Sequence, residues 1–277
     1  MAERTALWEL PAALPRHAFS ARDAARAGDV WRAFQEVAVE GSARAGWPPM
    51  RYRAAGAAFV IRTMTVVHHA EARYGEALTG RTWVRRFRRG MLSTREVRLD
   101  AARGPIASGT QEWVHVSPEL SPVRASPELV EAFPLHDEPD SPPAELPEVA
   151  TPREGVPFRF EVEAWWTWMD PLDHVNHPAY VDWCDEGISR RMAAAGLAPV
   201  TLQPVAETLT YFRGVVAGER VDVVGRLVGA TAAGDAVIEH RIERGETIYA
   251  KGRSVRRCVD AADPARLVDA LAGARES

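Results

Sequence analysis

Residues 30–49 read VWRAFQEVAVEGSARAGWPP, and residues 180–199 read YVDWCDEGISRRMAAAGLAP. One constant shift lays Glu36 on Glu186, Gly46 on Gly196, Trp47 on Leu197 and Pro49 on Pro199. Both stretches carry apolar side chains at helical spacing: Val30, Phe34 and Val37 in the first, Tyr180, Trp183, Ile188 and Met192 in the second. Both end on a glycine placed as a helix C-cap, with a proline soon after. The chain therefore holds one structural unit twice.

Four strand-like runs follow each helix. They cover 58–67, 76–87, 92–100 and 106–116 in the first half, and 201–212, 219–228, 236–244 and 247–259 in the second. Val, Ile, Thr and aromatic residues with partial alternation mark them as strands. Gly104, Gly234-Asp235 and Gly245-Glu246 supply turns between them. A further strand precedes each helix, at 6–10 and 158–166. The predicted class is α+β, two long helices each wrapped by an antiparallel sheet. The two sheets are expected to pair into one continuous sheet, because two independent domains would each leave an edge unpaired. The predicted domains are 1–134 and 158–277. Between them, 135–157 (LHDEPDSPPAELPEVATPREGVP) is rich in proline and acids and reads as an extended linker. Residues 264–274 read as a short amphipathic helix packed on the second domain.

The chain has 277 residues, of which 46% are hydrophobic and 26% charged, the profile of a soluble globular protein. It shows no apolar run long enough for a membrane span, its first residues predict no secretory leader, and it has only two cysteines, Cys184 and Cys258. A cytoplasmic location is expected. A net charge of −4 argues against a nucleic-acid partner. Lys251 is the only lysine, and all other basic side chains are arginine. A GC-rich genome accounts for that bias; phosphate recognition is the functional alternative. The run Arg85-Arg86-Phe87-Arg88-Arg89 and the trio Arg253, Arg256 and Arg257 are candidate landing patches for an acidic partner. Trp165, Trp166 and Trp168 are expected in the sheet core.

The chemistry concentrates before the second helix, in Trp168-Met169-Asp170-Pro171-Leu172-Asp173-His174-Val175-Asn176-His177-Pro178. Two carboxylates, two imidazoles and a carboxamide meet there at a helix entrance, where backbone N–H groups are free to face a developing oxyanion. A carboxylate there can act as base or nucleophile, and a neighbouring His and Asn can orient water. The same shift lays Ser20 on Asp170, Ala24 on His174 and Arg26 on Asn176, so the first copy has no such cluster. One active centre is expected. Each of these residues also has a purely structural reading, as N-cap, turn residue or satisfied core histidine.

Asp170, His174-Val175-Asn176, Tyr180 and Trp183 together resemble the D-x-x-x-H-V-N-x-x-x-Y-x-x-W motif of hotdog-fold thioesterases. The first half resembles the fatty acyl-ACP thioesterase branch, through Phe34-Gln35-Glu36, Tyr74-Gly75-Glu76, Thr82-Trp83-Val84, Gln111-Glu112-Trp113-Val114 and Arg124-Ala125-Ser126-Pro127. The resemblance spans about residues 20–260. It implies a tandem (double) hotdog and hydrolysis of fatty or related acyl thioesters of acyl carrier protein or CoA, by a monomer of two hotdogs or a homodimer. It implies no cofactor and no metal. It puts catalytic roles on Asp170 and His174. Asn176 is added as a catalytic residue, and the backbone N–H groups of Val175 and Asn176 as the oxyanion site. The family carries an Asn where this chain has Leu172 and a Glu where it has Gly214. Asp173, Glu36 or Glu76 are the candidates to support the site in their stead. The rival readings are an enoyl or β-hydroxyacyl thioester hydratase-dehydratase on the same fold, and a non-catalytic acyl-thioester binding protein.

Overall fold

The structure is a computed structural model that describes residues 6–138, 141, 143–259 and 265–273. The chain divides into two compact units, Met1–Arg16 with Val30–Glu145, and His17–Asp29 with Leu146–Ser277. The segment before the first helix thus groups with the second half of the chain.

The first unit contains β1 (Leu7–Ala12), most of α1 (Ala27–Arg44), the short α2 (Pro49–Ala54), β2 (Ala58–His68), β3 (Leu78–Arg88), β4 (Leu92–Ala101), β5 (Gly104–Val116) and α3 (Pro127–Glu131). Its strands run antiparallel in the order β1-β3-β4-β5-β2. The helix lies flat on this sheet because glycines let it come close. A Cβ at Gly109 on β5 would stand 2.6 Å from the Phe34 ring, and one at Gly80 on β3 would strike Val37. Trp31, Phe34, Met64, Trp83, Leu99 and Ile106 are fully buried. Each such side chain stabilises by about 1.5–3 kcal/mol relative to exposure.

The second unit repeats the plan with β6 (Thr151–Pro152), β7 (Phe158–Glu163), α4 (Pro178–Ala194), β8 (Leu202–Tyr211), β9 (Arg220–Ala230), β10 (Ala236–Arg244), β11 (Thr247–Cys258) and α5 (Ala265–Ala272). The order is β8-β11-β10-β9, with both β6 and β7 on the free side of β9. Pro178 starts α4, where its missing N–H costs nothing. Gly196, at φ 71°, ends it, and the Leu197 N–H turns back to Met192 O at 2.9 Å. Gly46, at φ 85°, closes α1 in the same way, with Trp47 N–H on Ser42 O at 2.9 Å. Ile188, Met192, Leu227, Ile238, Leu267 and Leu271 form the core under α4, with α5 as its lid. That is the packing role expected for the C-terminal helix, whose predicted ends at 264 and 274 lie outside the described residues.

Three expectations need correction. Trp165 and Trp166 are not core: they are 64% and 76% exposed, because β7 stops at Glu163 and the chain enters a 3-10 turn at Trp166–Trp168. Only Trp168 is half-buried. Arg256 belongs to no surface patch. It is fully buried, with Asp185 of α4 at 2.7 Å and Glu207 of β8 at 2.5 Å. Arg253 and Arg257 are likewise consumed, by Glu239 and Asp235. In the first run, Arg85 reaches Asp137 at 3.2 Å and Arg88 reaches Glu112 at 2.9 Å. Finally, the segment 135–157 is extended but pinned. The Ala144 N–H donates to Thr110 Oγ1 at 2.8 Å, and the Gly155 N–H to Leu227 O at 3.0 Å.

Burial sets the charge state of the groups around Arg256. The Asp185 carboxyl is pushed up to about 6 by burial, with Arg256 opposing. His240 on β10 is pushed down to about 3 by burial and then by Arg256, so it is neutral, its Nε2 sharing a proton with Ser254 Oγ at 2.7 Å. An imidazole depressed on folding contributes stability that is complete above its unfolded value of 6.5 and is lost as pH falls through about 3. The His240 contribution to the unfolding free energy should therefore fall across that window, while Asp185, raised to about 6, contributes in the opposite direction as pH falls from about 6. In His240→Gln the fall should be shallower, by up to about 1.4 kcal/mol per pH unit. Urea titrations at stepped pH measure it. Gly252→Ala on β11 drives a Cβ into the Thr208 carbonyl of the paired strand and should cost several kcal/mol, roughly the upper range of single substitutions. A thermal melt within one degree of wild type would contradict that packing.

Candidate active site

The polar cluster occupies a closed turn at the foot of α4. Met169 and Val175 form an antiparallel bridge. The Asp170 N–H donates to His174 O at 2.8 Å, the Asp173 N–H to Asp170 O at 3.0 Å, and the Asn176 N–H to Trp168 O at 2.9 Å. Asp173 takes φ 61°, a left-handed conformation that Asp tolerates better than most residues. The segment before α1 has the same backbone. There Asp23 also has φ 61°, Phe19 bridges Ala25, and N–H groups of Ser20, Asp23 and Arg26 donate to Ala24, Ser20 and Ala18 at 2.9, 3.0 and 2.9 Å. The duplication thus reaches individual hydrogen bonds, and only the side chains differ.

Inside the second turn the structure brings Asp170 and His174 together. Asp170 Oδ1 lies 3.4 Å from His174 Nδ1 and accepts the Leu172 N–H at 2.8 Å. Both side chains are mostly buried, 20% and 16% exposed. The Asn176 Oδ1 is buried and has no hydrogen-bond partner among the described residues. An orphaned buried acceptor of this kind costs about 1–3 kcal/mol unless a ligand or water fills it.

The β8–β9 loop is laced onto this turn. The Val175 N–H donates to Val215 O at 2.8 Å, and the Val215 N–H donates to the Tyr180 hydroxyl at 3.0 Å. The Tyr211 hydroxyl donates to His177 O at 2.9 Å. Gly214 presses on the imidazole: a Cβ there would sit 2.8 Å from His174 Cβ and Cγ. Tyr180 is held neutral, its phenol raised by burial, with the Val215 amide opposing and the charges of Glu219 and Asp170 adding. An aromatic chain underlies the turn. Trp165 stacks on Trp168 at 5.0 Å, Trp168 meets Trp183 edge-on at 5.5 Å, and Trp183 leads through Tyr180 to Tyr211.

Several predicted site residues take other roles. The N–H groups of Val175 and Asn176 both donate within the protein, so neither is a free oxyanion donor in this arrangement. A helix entrance leaves N–H groups unpaired only where no loop folds back over it, and here two do. Asp173 is exposed and serves the turn through its backbone. Glu36 is exposed on α1. Glu76 is bound by Arg103 at 2.6 Å and by the Arg73 N–H at 3.0 Å, and the Arg103 hydrogen bond draws its carboxyl below the ordinary range. Sequence reasoning missed Gly214 as the wall of the imidazole and Tyr180 as the anchor of Val215. The spacing of Tyr180 in the motif was the one available signal, and it did not name the partner.

Tyr180→Phe strands the buried Val215 amide and should lower stability by about 1–3 kcal/mol while leaving far-ultraviolet circular dichroism unchanged. An unchanged urea midpoint would show that the amide finds another acceptor.

Residues 164–274 match the family model of the thioesterase-like superfamily. No curated protein sequence matches the chain. Among solved structures, the Lactobacillus plantarum protein described as an oleoyl thioesterase superposes with a TM-score of 0.75 at 17% identity, over 94% of this chain and 99% of that one. The 12:0-ACP thioesterase of Umbellularia californica gives 0.72 at 13% identity, over 92% and 95%. An acyl-ACP thioesterase of Bacteroides thetaiotaomicron gives 0.66 at 12% identity, over 90% and 96%. The chain has the double hotdog fold of these thioesterases, and its residues 164–274 carry the match to the thioesterase-like superfamily.

Proposed function

We propose that this chain is an acyl thioesterase, with fatty acyl groups on acyl carrier protein or CoA as its substrates. The observation that carries the reading is the mostly buried Asp170–His174 pair, 3.4 Å apart, on a turn whose duplicate has Ser20 and Ala24 instead. The match of residues 164–274 supports the reaction class. The solved structures that the chain resembles, an oleoyl thioesterase and a 12:0-ACP thioesterase, support the acyl class and the carrier.

In this reading water gives a proton to the Asp170–His174 pair as its oxygen adds to the thioester carbonyl carbon. The tetrahedral intermediate then collapses, the C–S bond breaks, and the proton passes to the departing thiolate. The products are a carboxylic acid and a free thiol. Asp170 Oδ1 is already occupied by the Leu172 N–H and faces His174, which leaves Oδ2 for the water. The unpartnered Asn176 Oδ1 orients a donor, either that water or an amide N–H of the substrate arm. The proposed setting is the cytoplasm, and the two cysteines, both free thiols, suit a reducing compartment.

Free-thiol release from a panel of acyl-CoA and acyl-ACP substrates tests the proposal. Asp170→Ala and His174→Ala should each lose about 10²–10⁴-fold in kcat with folding intact, the usual worth of a general base. Asn176→Ala should lose less. A wild type that releases no thiol from any substrate, or either alanine variant with full turnover, overturns it. Enoyl hydration in place of thiol release would move the same pair to the hydratase reading.

A further inference from the structure

Two neighbouring turns of the second unit expose large apolar side chains to solvent. The turn after β7 presents Trp165 and Trp166, and the β8–β9 loop presents Phe212 and Val216, at 54% and 44% exposure. Hydrogen bonds join them into one rim. The Ala164 N–H donates to Glu219 O and the Gly218 N–H to Ala164 O, both at 2.8 Å. The Tyr249 hydroxyl reaches Glu219 Oε1 at 3.1 Å, and Tyr249 O accepts the Phe212 N–H at 2.8 Å. Exposed apolar side chains gathered on one rim mark a contact surface.

Three properties of this rim fit a lipid bilayer. Indole rings settle where headgroups meet acyl chains, and this rim offers two of them. The main chain of both turns is paired within the protein. The Trp168 N–H donates to Trp165 O at 3.0 Å, the Met169 N–H to Trp166 O at 3.1 Å, the Val216 N–H to Glu219 Oε2 at 3.0 Å and the Glu219 N–H to Val216 O at 3.1 Å. An apolar medium demands that pairing, whereas a protein partner can supply the missing bonds itself. The third property is charge. Arg213 and Lys251 are exposed on the same rim, Lys251 over the Phe212 ring at 5.3 Å, and neither is ion-paired among the described residues. The adjoining Glu163 is held by Arg220 at 2.8 Å. An anionic bilayer is a continuous field, so cations along a rim act on it without meeting at a point. We propose that Trp165, Trp166, Phe212 and Val216 form a peripheral membrane-binding surface that favours anionic lipid. The surface is inferred independently of the thioesterase reading. Where that reading holds, a released fatty acid leaves the turn beside a lipid phase, since Trp165 stacks on Trp168 and Trp168 O accepts the Asn176 N–H.

Vesicle flotation of the whole chain tests the proposal. One set of vesicles is phosphatidylcholine alone, the other phosphatidylcholine and phosphatidylglycerol in equal parts. The wild type should bind the mixed vesicles about tenfold or more tightly than the neutral ones, and added salt should narrow the gap. Trp166→Ser/Val216→Ser should weaken binding to the mixed vesicles by about tenfold, because bound apolar area and charge attraction act together. Arg213→Gln/Lys251→Gln should erase the preference for the anionic set. All four positions are exposed, so circular dichroism melts should match wild type. Lipid brominated in its acyl chains should quench part of the wild-type tryptophan emission, and less of it in Trp166→Ser/Val216→Ser. No binding to either vesicle, or binding that survives in Trp166→Ser/Val216→Ser, overturns the proposal; survival there together with loss in the arginine–lysine variant shows plain charge adsorption. Dimerisation in lipid-free velocity sedimentation, or capture of acyl carrier protein, that is lost in Trp166→Ser/Val216→Ser while vesicles are ignored gives the rim to that partner and overturns it as well. A protein that binds vesicles through this rim and releases no thiol keeps the surface and overturns the thioesterase reading alone.

Discussion

The hydrogen bond from the Asp170 N–H to His174 O, 2.8 Å long, is the contact on which the proposed site depends. It closes a turn in which Asp173 takes a left-handed conformation, and that closure sets the side chains of Asp170 and His174 against each other. The Asn176 N–H then ties the turn to Trp168, and Pro178 begins α4. The β8–β9 loop rides on the result through Val175, Val215 and Tyr180. Each bond is worth about 1 kcal/mol net, but a buried amide left unpaired costs about 1–3 kcal/mol. Breaking one contact in this lattice strands the next, so the turn holds one geometry.

The duplicate turn shows that this geometry is not made for catalysis. Ser20, Asp23, Ala24 and Arg26 reproduce the same backbone bonds, and the Arg22 N–H finds Ser20 Oγ at 3.3 Å where the Leu172 N–H finds Asp170 Oδ1 at 2.8 Å. The turn is a device for starting a long helix across a sheet. Asp170, His174 and Asn176 belong to one copy only, where the other has Ser20, Ala24 and Arg26. The copy without them keeps its structural work, which is why its backbone persists without the polar side chains.

Much of this was legible in the sequence. The repeat of 30–49 in 180–199, the succession of a strand, a helix and four strands in each half, and the asymmetry of the two turns all follow from periodicity and glycine placement, which are local signals. The Asp170–His174 pairing was legible because both residues lie within one turn of chain. What could not be read is non-local. Arg256 reads as surface charge beside Arg253 and Arg257, yet it is buried because Asp185 and Glu207 come from elements far along the chain. Trp165 and Trp166 read as core because they are large and apolar, and they emerge because β7 stops at Glu163. The amides of Val175 and Asn176 read as free because their acceptors, Val215 and Trp168, belong to other turns. Hydrophobic pattern fixes which face is buried, but it does not identify the partner of a buried polar group.

Gly214 carries the same point into the mechanism. The resemblance puts a carboxylate at this position, and here His174 occupies the space where even a Cβ would need to go. An acid at 214 is incompatible with the imidazole in this place, so the loss of one and the position of the other are a single structural fact. Likewise, with leucine at 172, the backbone N–H of that residue is what meets the Asp170 carboxylate. The site thus exchanges two side-chain contributions for backbone contacts. In the proposed reading, proton handling then falls to Asp170 and His174, and the Asn176 oxygen is a buried acceptor of the turn without a hydrogen-bond partner among the described residues. A donor that satisfies that oxygen recovers the cost of burying it unpaired, about 1–3 kcal/mol.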